Sequence, residues 1–283
     1  MQEMDYSSYD IHPIVLGYDE IVALAPQLKG KRRLVEGLIH FLSIDKCNDM
    51  HSRLCDTPGP DFCRRLLDEL DIKLKIDNAE LLDHLPEGPF VTVSNHPFGA
   101  LDGVTLIDLI GSRRPEFKVM VNMTLNYISA LRPSFIAVDS LASDDPVKKA
   151  VSVRGIKEAM SRIRNGHPVG FFPAGAVAKL NGHLRLEDRE WQPTVIRLIK
   201  KMNVPVIPIY FHGSNSWWFN FLGIVSWQLR TLRLPAEIFK KAHKTIHISI
   251  GNPISVEEQN AHSGSLEELG LFLREKTFEL RDR

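Results

Sequence analysis

Apolar residues along the chain fall into two textures, and the change comes near Ile72. Between Tyr18 and Asp45, the residues Ile21, Leu24, Leu28, Leu34, Val35, Leu38, Ile39 and Leu42 recur mostly at three- and four-residue steps, the spacing that gathers side chains on one helix face. The interruption around Gly30 predicts two amphipathic helices or one kinked helix. After the Pro58-Gly59-Pro60 break, Phe62, Leu66, Leu67 and Leu70 share a face and predict a helix from about Pro60 to Leu70. Residues 1–75 therefore read as an N-terminal helical appendage.

Residues 76–283 read as an α/β domain. Short runs rich in β-branched and aromatic residues predict strands at Ile72 to Ile76, Phe90 to Ser94, Phe117 to Val121, Phe135 to Val138, Val169 to Phe172, Val206 to Phe211 and Thr245 to Ile250. Helices are predicted at Gly103 to Ile110, Pro146 to Arg164, Gln192 to Met202 and Leu266 to Leu280. Asp144 or Asp145 is placed to cap the second of these, which has proline in its first turn and Gly166 past its end. This alternation predicts an α/β fold with a mostly parallel sheet flanked by helices.

The segment with the most chemistry is Asn95-His96-Pro97-Phe98-Gly99-Ala100-Leu101-Asp102-Gly103, which leaves the strand Phe90 to Ser94. A histidine and a carboxylate on a turn at a strand exit lie where α/β enzymes carry out their reactions. Asp102 also fits an ordinary helix N-cap, and a carboxylate can serve the backbone with one oxygen and an imidazole with the other.

Charge and cysteine content exclude more than they suggest. Lys plus Arg and Asp plus Glu each number 35 among 283 residues, so no basic field argues for nucleic acid. Cys47, Cys55 and Cys63 are separated by seven residues each. That spacing predicts reduced thiols rather than a zinc site completed by His51, and no metal is expected. The acidic, tyrosine-bearing start from Met1 to Asp10 lacks the basic and apolar parts of a signal peptide, so export is not expected. No run approaches the roughly twenty apolar residues of a membrane span.

The turn and several later blocks resemble the glycerolipid acyltransferase superfamily, whose first block is a His, four residues and an Asp. Ser134-Phe135-Ile136-Ala137-Val138-Asp139 sits where the second block lies, and Phe172-Pro173-Ala174-Gly175 resembles its Phe-Pro-Glu-Gly block. Val204-Pro205-Val206-Ile207-Pro208-Ile209 resembles the fourth block, and Ile250-Gly251-Asn252-Pro253-Ile254 the final strand and turn. The resemblance covers roughly residues 85 to 255. Here five residues separate His96 from Asp102, and Gly99 lets the longer turn bulge. Ala174 and Asp139 stand where the family commonly carries Glu and Arg, residues associated with a glycerol-phosphate acceptor.

The resemblance implies an O-acyltransferase that moves a fatty acyl group from acyl-CoA or acyl-acyl carrier protein to a lyso-lipid hydroxyl. The His-Pro-Phe-Gly form points to the hemolysin-like or lyso-aminoacid-lipid branch. His96 would act as general base and Asp102 as its partner, with no cofactor beyond the thioester co-substrate. Acceptor or oxyanion binding is expected from Asn95, Gly99, Pro173 and Gly175, with Lys179 as a nearby cation. Two other readings are an acyl-thioester or lipid hydrolase and a non-catalytic lipid-binding protein. No Gly-x-Ser-x-Gly elbow supports a serine hydrolase.

The expected partners are the lipid acceptor, the acyl thioester donor, an acyl carrier protein where it carries that donor, and a peripheral membrane surface, with the protein cytoplasmic on the inner face of the membrane. Ser214 to Leu229 carries Trp217, Trp218, Phe219, Phe221 and Trp227 without a formal charge, and Arg230, Arg233, Lys240 and Lys241 follow it. It reads as a lipid-docking or acyl-tunnel segment, or as a buried core helix. The pairs Arg113-Arg114 and Lys148-Lys149 are read as solvated faces rather than phosphate sites.

Overall fold

Val, Ile and Phe dominate the strands of the computed structural model, which describes residues 5–139, 146–180, 186–225 and 227–282. The strands are β1 (Lys73–Asp77), β2 (Val91–Ser94), β3 (Lys118–Asn122), β4 (Phe135–Val138), β5 (Val169–Phe171), β6 (Lys179–Leu180), β7 (Leu186–Glu187), β8 (Val206–His212) and β9 (Thr245–Ile250). Strands β6 and β7 form a small antiparallel ribbon. The other seven make one sheet in the order β1-β9-β8-β2-β5-β3-β4. All neighbouring pairs are parallel except β8 and β9. The exception arises because the chain between these two strands stays at the end where β8 leaves the sheet and re-enters from that end.

The α-helices are α1 (Tyr18–Leu24), α2 (Arg32–Phe41), α3 (Ile44–Leu54), α4 (Pro60–Glu69), α5 (Ala100–Gly111), α6 (Pro146–Arg164), α7 (Pro193–Met202), α8 (Trp217–Val225), α9 (Trp227–Leu232), α10 (Leu234–Phe239), α11 (Val256–Ala261) and α12 (Leu266–Phe278). Asp144 and Asp145, the expected caps of α6, lie outside the described residues, as do Ser226 and the side chain of Trp227.

One buried cluster joins Met50, Leu54, Phe62 and Leu66 to Leu106 and Ile110 of α5 and to Ile207, Phe211 and Ile248 of the sheet. A second joins Val91 and Val93 to Ala159, Ile196 and Leu273 on the opposite side. The sheet is thus covered on both faces. A boundary at residue 75 would cut through β1, and α3 and α4 share their core with the sheet, so these N-terminal helices are a layer of the same core. Helix α3 escapes the sequence pattern because the polar His51 occupies its buried face.

Helix α5 is buried along nearly its whole length, which explains its nearly continuous apolar sequence. It packs on α4 at Gly111, where an added Cβ would lie 2.6 Å from a Pro60 ring carbon. This contact fixes the axis of the helix that begins at the chemically loaded turn.

Candidate active site

Three loops leave the carboxyl ends of the adjacent parallel strands β5, β2 and β8, where open α/β sheets place ligands. The β2 loop carries His96 and leads into α5. Gly99 caps this helix with φ of 85°, a conformation that favours glycine, and an added Cβ would meet the Leu234 side chain at 2.7 Å. Asp102 is therefore the third residue of the helix, not its N-cap. The helix starts earlier than the apolar pattern predicts because the Gly99 carbonyl already accepts from the Asp102 N–H at 3.0 Å.

Asp102 is fully buried. Its Oδ2 accepts from the Phe98 and Gly99 N–H groups at 2.9 Å each, satisfying donors that the helix start leaves open. His96 Nδ1 stands 2.9 Å from the same oxygen. The separation is that of a hydrogen bond, while the ring N–H points off the line to the oxygen, a looseness common in unliganded catalytic pairs. Burial pushes the Asp102 carboxyl above its ordinary range, opposed by His96 and the two N–H groups. The imidazole is 17% exposed and lies on Phe172, ring centres 4.4 Å apart.

Asn95 does not face a ligand. Its Nδ2 donates to the Phe211 carbonyl at 2.9 Å, and its Oδ1 accepts from the Phe211 N–H at 2.7 Å. The side-chain amide thus continues the β2–β8 pairing one residue past the strand and holds His96 in place. The expected binding role gives way to a positioning one.

The loop after β5 supports the other side. Pro173 accepts through its carbonyl from the Gln192 N–H at 2.9 Å, Gly175 N–H donates to the Phe172 carbonyl at 2.9 Å, and Ala178 N–H donates to the His96 carbonyl at 3.0 Å. With the Gly99 and Gly175 amides both engaged, neither is open to an oxyanion. Gly175 adopts φ of 67°, and a Cβ there would lie 1.9 Å from Gln192 Nε2. Lys179 is exposed on β6, opposite Glu187.

Three charged residues that the sequence reading did not assign to the site converge here. Asp188 is held near His96, whose imidazole and backbone N–H both favour its charged form. Burial outweighs them and pushes its carboxyl up to about 6. Arg230, only 5% exposed, donates to the Ala178 and Val177 carbonyls at 3.0 and 3.3 Å. Arg189 Nε donates to the same Val177 carbonyl at 3.4 Å. Arg230 points inward rather than forming a basic fringe to the tryptophan segment. The acidic and basic residues around Trp191 form no periodic pattern, and only their density in sequence marks them.

The tryptophan segment is neither wholly core nor wholly surface. Phe219 is buried while Trp217 and Trp218 are 64% and 63% exposed, and Phe221 stacks on Trp217 at 5.1 Å. Arg114 is not a solvated cation either. It pairs with Glu116 and donates to the carbonyls of Pro86, Gly88 and Gly166, tying three loops together. Arg113 bonds Asp83, and Lys148 lies 3.9 Å from Asp139.

Cys63 is buried, and burial pushes the Cys47 thiol up to about 12. His51 is engaged at both ring nitrogens, with the Pro13 carbonyl and the Ala130 N–H. Among the described residues, Asp77, His212 and His247 bring metal-type ligand atoms within 4.8 Å of one another. The two imidazoles are stacked 4.0 Å apart and 11° from parallel, so an ion shared between them would sit well out of each ring plane. His247 is already bonded to Asp77, and His212 to Ser249 at 2.8 Å.

A histidine beside a buried carboxyl at the ends of parallel strands fits several reactions, and likeness to known proteins narrows them. The sequence model of a family described as acyltransferase matches residues 31–283. The chain belongs to that family. This acyltransferase is 29% identical over 234 residues to the lyso-glycine lipid O-acyltransferase of Phocaeicola vulgatus, covering 79% of each chain. It is 29% identical over 218 residues to the enzyme of the same name from Bacteroides thetaiotaomicron, covering 74% of this chain and 76% of that one. Its fold is similar to that of the 1-acyl-sn-glycerophosphate acyltransferase PlsC of Thermotoga maritima, with a TM-score of 0.50 and 15% identity over 87% of this chain and 86% of that one. The family match includes α2 to α4 of the acyltransferase, in keeping with their place in the common core.

Proposed function

We propose that this acyltransferase moves a fatty acyl group from a thioester, acyl-CoA or acyl-acyl carrier protein, to the hydroxyl of a lyso-aminoacid lipid. The observation that carries the reading is the contact of His96 with the buried Asp102 at the end of β2. With Nδ1 turned to Asp102, the free Nε2 takes the proton of the acceptor hydroxyl as its oxygen attacks the thioester carbonyl. The tetrahedral intermediate then collapses, the C–S bond breaks, and the thiolate leaves with the proton returned by His96. Base catalysis of this kind contributes roughly 10² to 10⁴ in rate, and substrate positioning supplies much of the remainder. No acyl-enzyme and no further cofactor enter the scheme. The acceptor class is supported by the two relatives named as lyso-glycine lipid O-acyltransferases.

The reaction would take place at the cytoplasmic face of a membrane, with the protein bound peripherally. Supporting this, α8 presents Trp217 and Trp218 outward, side chains suited to the headgroup boundary, and Lys240 bonds Ser216, the residue just before α8, and Glu237. Among the described residues, no helix is long and apolar enough to cross a membrane.

The test is to incubate purified protein with palmitoyl-CoA or palmitoyl-acyl carrier protein and an N-(3-hydroxyacyl)glycine, on vesicles containing anionic lipid. Diacylated product should form in step with free thiol, and His96→Ala should abolish both. Thiol release independent of acceptor would assign a hydrolase instead, and full activity in His96→Ala would remove His96 as the base.

A further inference from the structure

Arg230 is a buried cation among the described residues with no acidic partner. Its guanidinium is held by the carbonyls of Val177 and Ala178 and lies over the Phe219 ring at 5.5 Å. The fold makes room for it: an added Cβ at Gly223 would lie 2.8 Å from Arg230 Cδ. Among the described residues, the charge that acts on it is a second cation, Arg189, which reaches the same Val177 carbonyl. Burial and this neighbour both disfavour its charged form. Two guanidiniums beside one carbonyl, one of them desolvated, cost free energy that a carboxylate on the binding side offsets. Arg189 engages only Nε with the protein among the described residues, so its two terminal nitrogens remain for a ligand. The planar fork of a guanidinium matches a carboxylate in two parallel hydrogen bonds.

Position gives this pair its meaning. The loop they grip is the loop whose Ala178 N–H bonds the His96 carbonyl, and Asp188, next to Arg189, faces His96. Together with the proposed O-acyl transfer, on which this inference rests, we infer that Arg189 and Arg230 form the carboxylate subsite of the acceptor. Arg189 makes the direct contact, while Arg230 holds the Val177–Ala178 loop and adds its field. The substrate class is an N-(hydroxyacyl) amino acid with a free carboxylate, oriented so that its hydroxyl comes to His96. Esters and amides at that carboxyl are discriminated against.

Two measurements on the purified full chain test this. The first is direct titration with N-palmitoylglycine, which has no hydroxyl to acylate, and with its neutral analogue N-palmitoylglycinamide. The wild type should prefer the acid by roughly ten- to hundredfold, as expected for a charge-assisted pair. Arg189→Ala should collapse that preference to within about twofold, and Arg189→Lys should restore part of it. Equal binding of acid and amide by the wild type, or an unchanged preference in Arg189→Ala, overturns the subsite. The second is turnover of N-(3-hydroxypalmitoyl)glycine against its amide. Here Arg189→Ala should raise the KM for the acid roughly tenfold or more and leave the thioester KM at its wild-type value. A raised thioester KM with an unaltered acceptor KM would assign the pair to a donor phosphate and overturn the proposal. Selective acid binding without any turnover would leave the subsite standing and remove the transfer reading, so the two fail separately. Arg230→Met, checked by circular dichroism, should weaken acid binding less than Arg189→Ala.

Discussion

The side-chain amide of Asn95 bonds both the N–H and the carbonyl of Phe211, a residue 116 positions away. It acts as one extra rung between β2 and β8, placed just before His96, the base of the proposed reaction. Asn95→Ala leaves two buried backbone groups of β8 unpartnered, at about 1–3 kcal/mol each. Urea unfolding should show a loss of about 2–4 kcal/mol, and kcat should fall because His96 loses its support. Asn95→Asp should be no milder, since it sets a carboxylate oxygen against the Phe211 carbonyl. A fully active, equally stable Asn95→Ala would refute this account.

Asp102 serves the helix and the His96 imidazole with one oxygen. Asp102→Asn keeps an acceptor for the Phe98 and Gly99 N–H groups, so stability should change little while kcat falls by roughly 10² to 10⁴. Asp102→Ala removes both functions and should also cost about 2–4 kcal/mol. Paired denaturation and rate measurements separate the two roles. If the Asn and Ala variants lose stability equally, the capping role is wrong.

This dual role also shows how far the sequence could be read. His96, Gly99 and Asp102 stand within seven residues, so local spacing brings them together and the bulge at Gly99 follows from the extra residue. The seven strands of the main sheet were similarly legible from β-branched runs, with ends shifted by a residue where an edge residue such as Ile72 turns into the core, while the two-residue strands β6 and β7 were too short to leave a pattern. What stayed hidden depends on distant partners. The job of Asn95 needs Phe211, the inward course of Arg230 needs the Val177–Ala178 loop, and the reversal of β9 needs the path of three short helices. None of these leaves a periodic trace.

Gly175 offers a test of packing. Gly175→Ala places a Cβ against Gln192 and holds alanine at positive φ, for a combined loss of about 2 kcal/mol or more. Adding Gln192→Ala removes the clash but not the backbone strain. The double variant should therefore recover part of the loss in a double-mutant cycle. Strict additivity in urea unfolding would show that the Gln192 contact is immaterial.

Asp188 makes stability depend on pH in a defined direction. Its carboxyl is raised from 3.8 to about 6 in the folded state, so between these values the native protein holds a proton that the unfolded chain has released. Stability falls as pH rises through this window, by up to about 3 kcal/mol. Asp188→Asn cannot ionise and should unfold at higher temperature than wild type at pH 8, with the gap closing below about pH 4. Thermal unfolding at pH 4, 6 and 8 checks this, and an equal gap at all three would contradict it.

The two hydrogen bonds that Asp102 accepts from Phe98 and Gly99 give the dyad a reporter independent of chemistry. These amides exchange with solvent only when the first turn of α5 opens, and the same opening carries the acid away from His96. Their deuterium uptake therefore measures the fraction of molecules with an assembled dyad, with no substrate present.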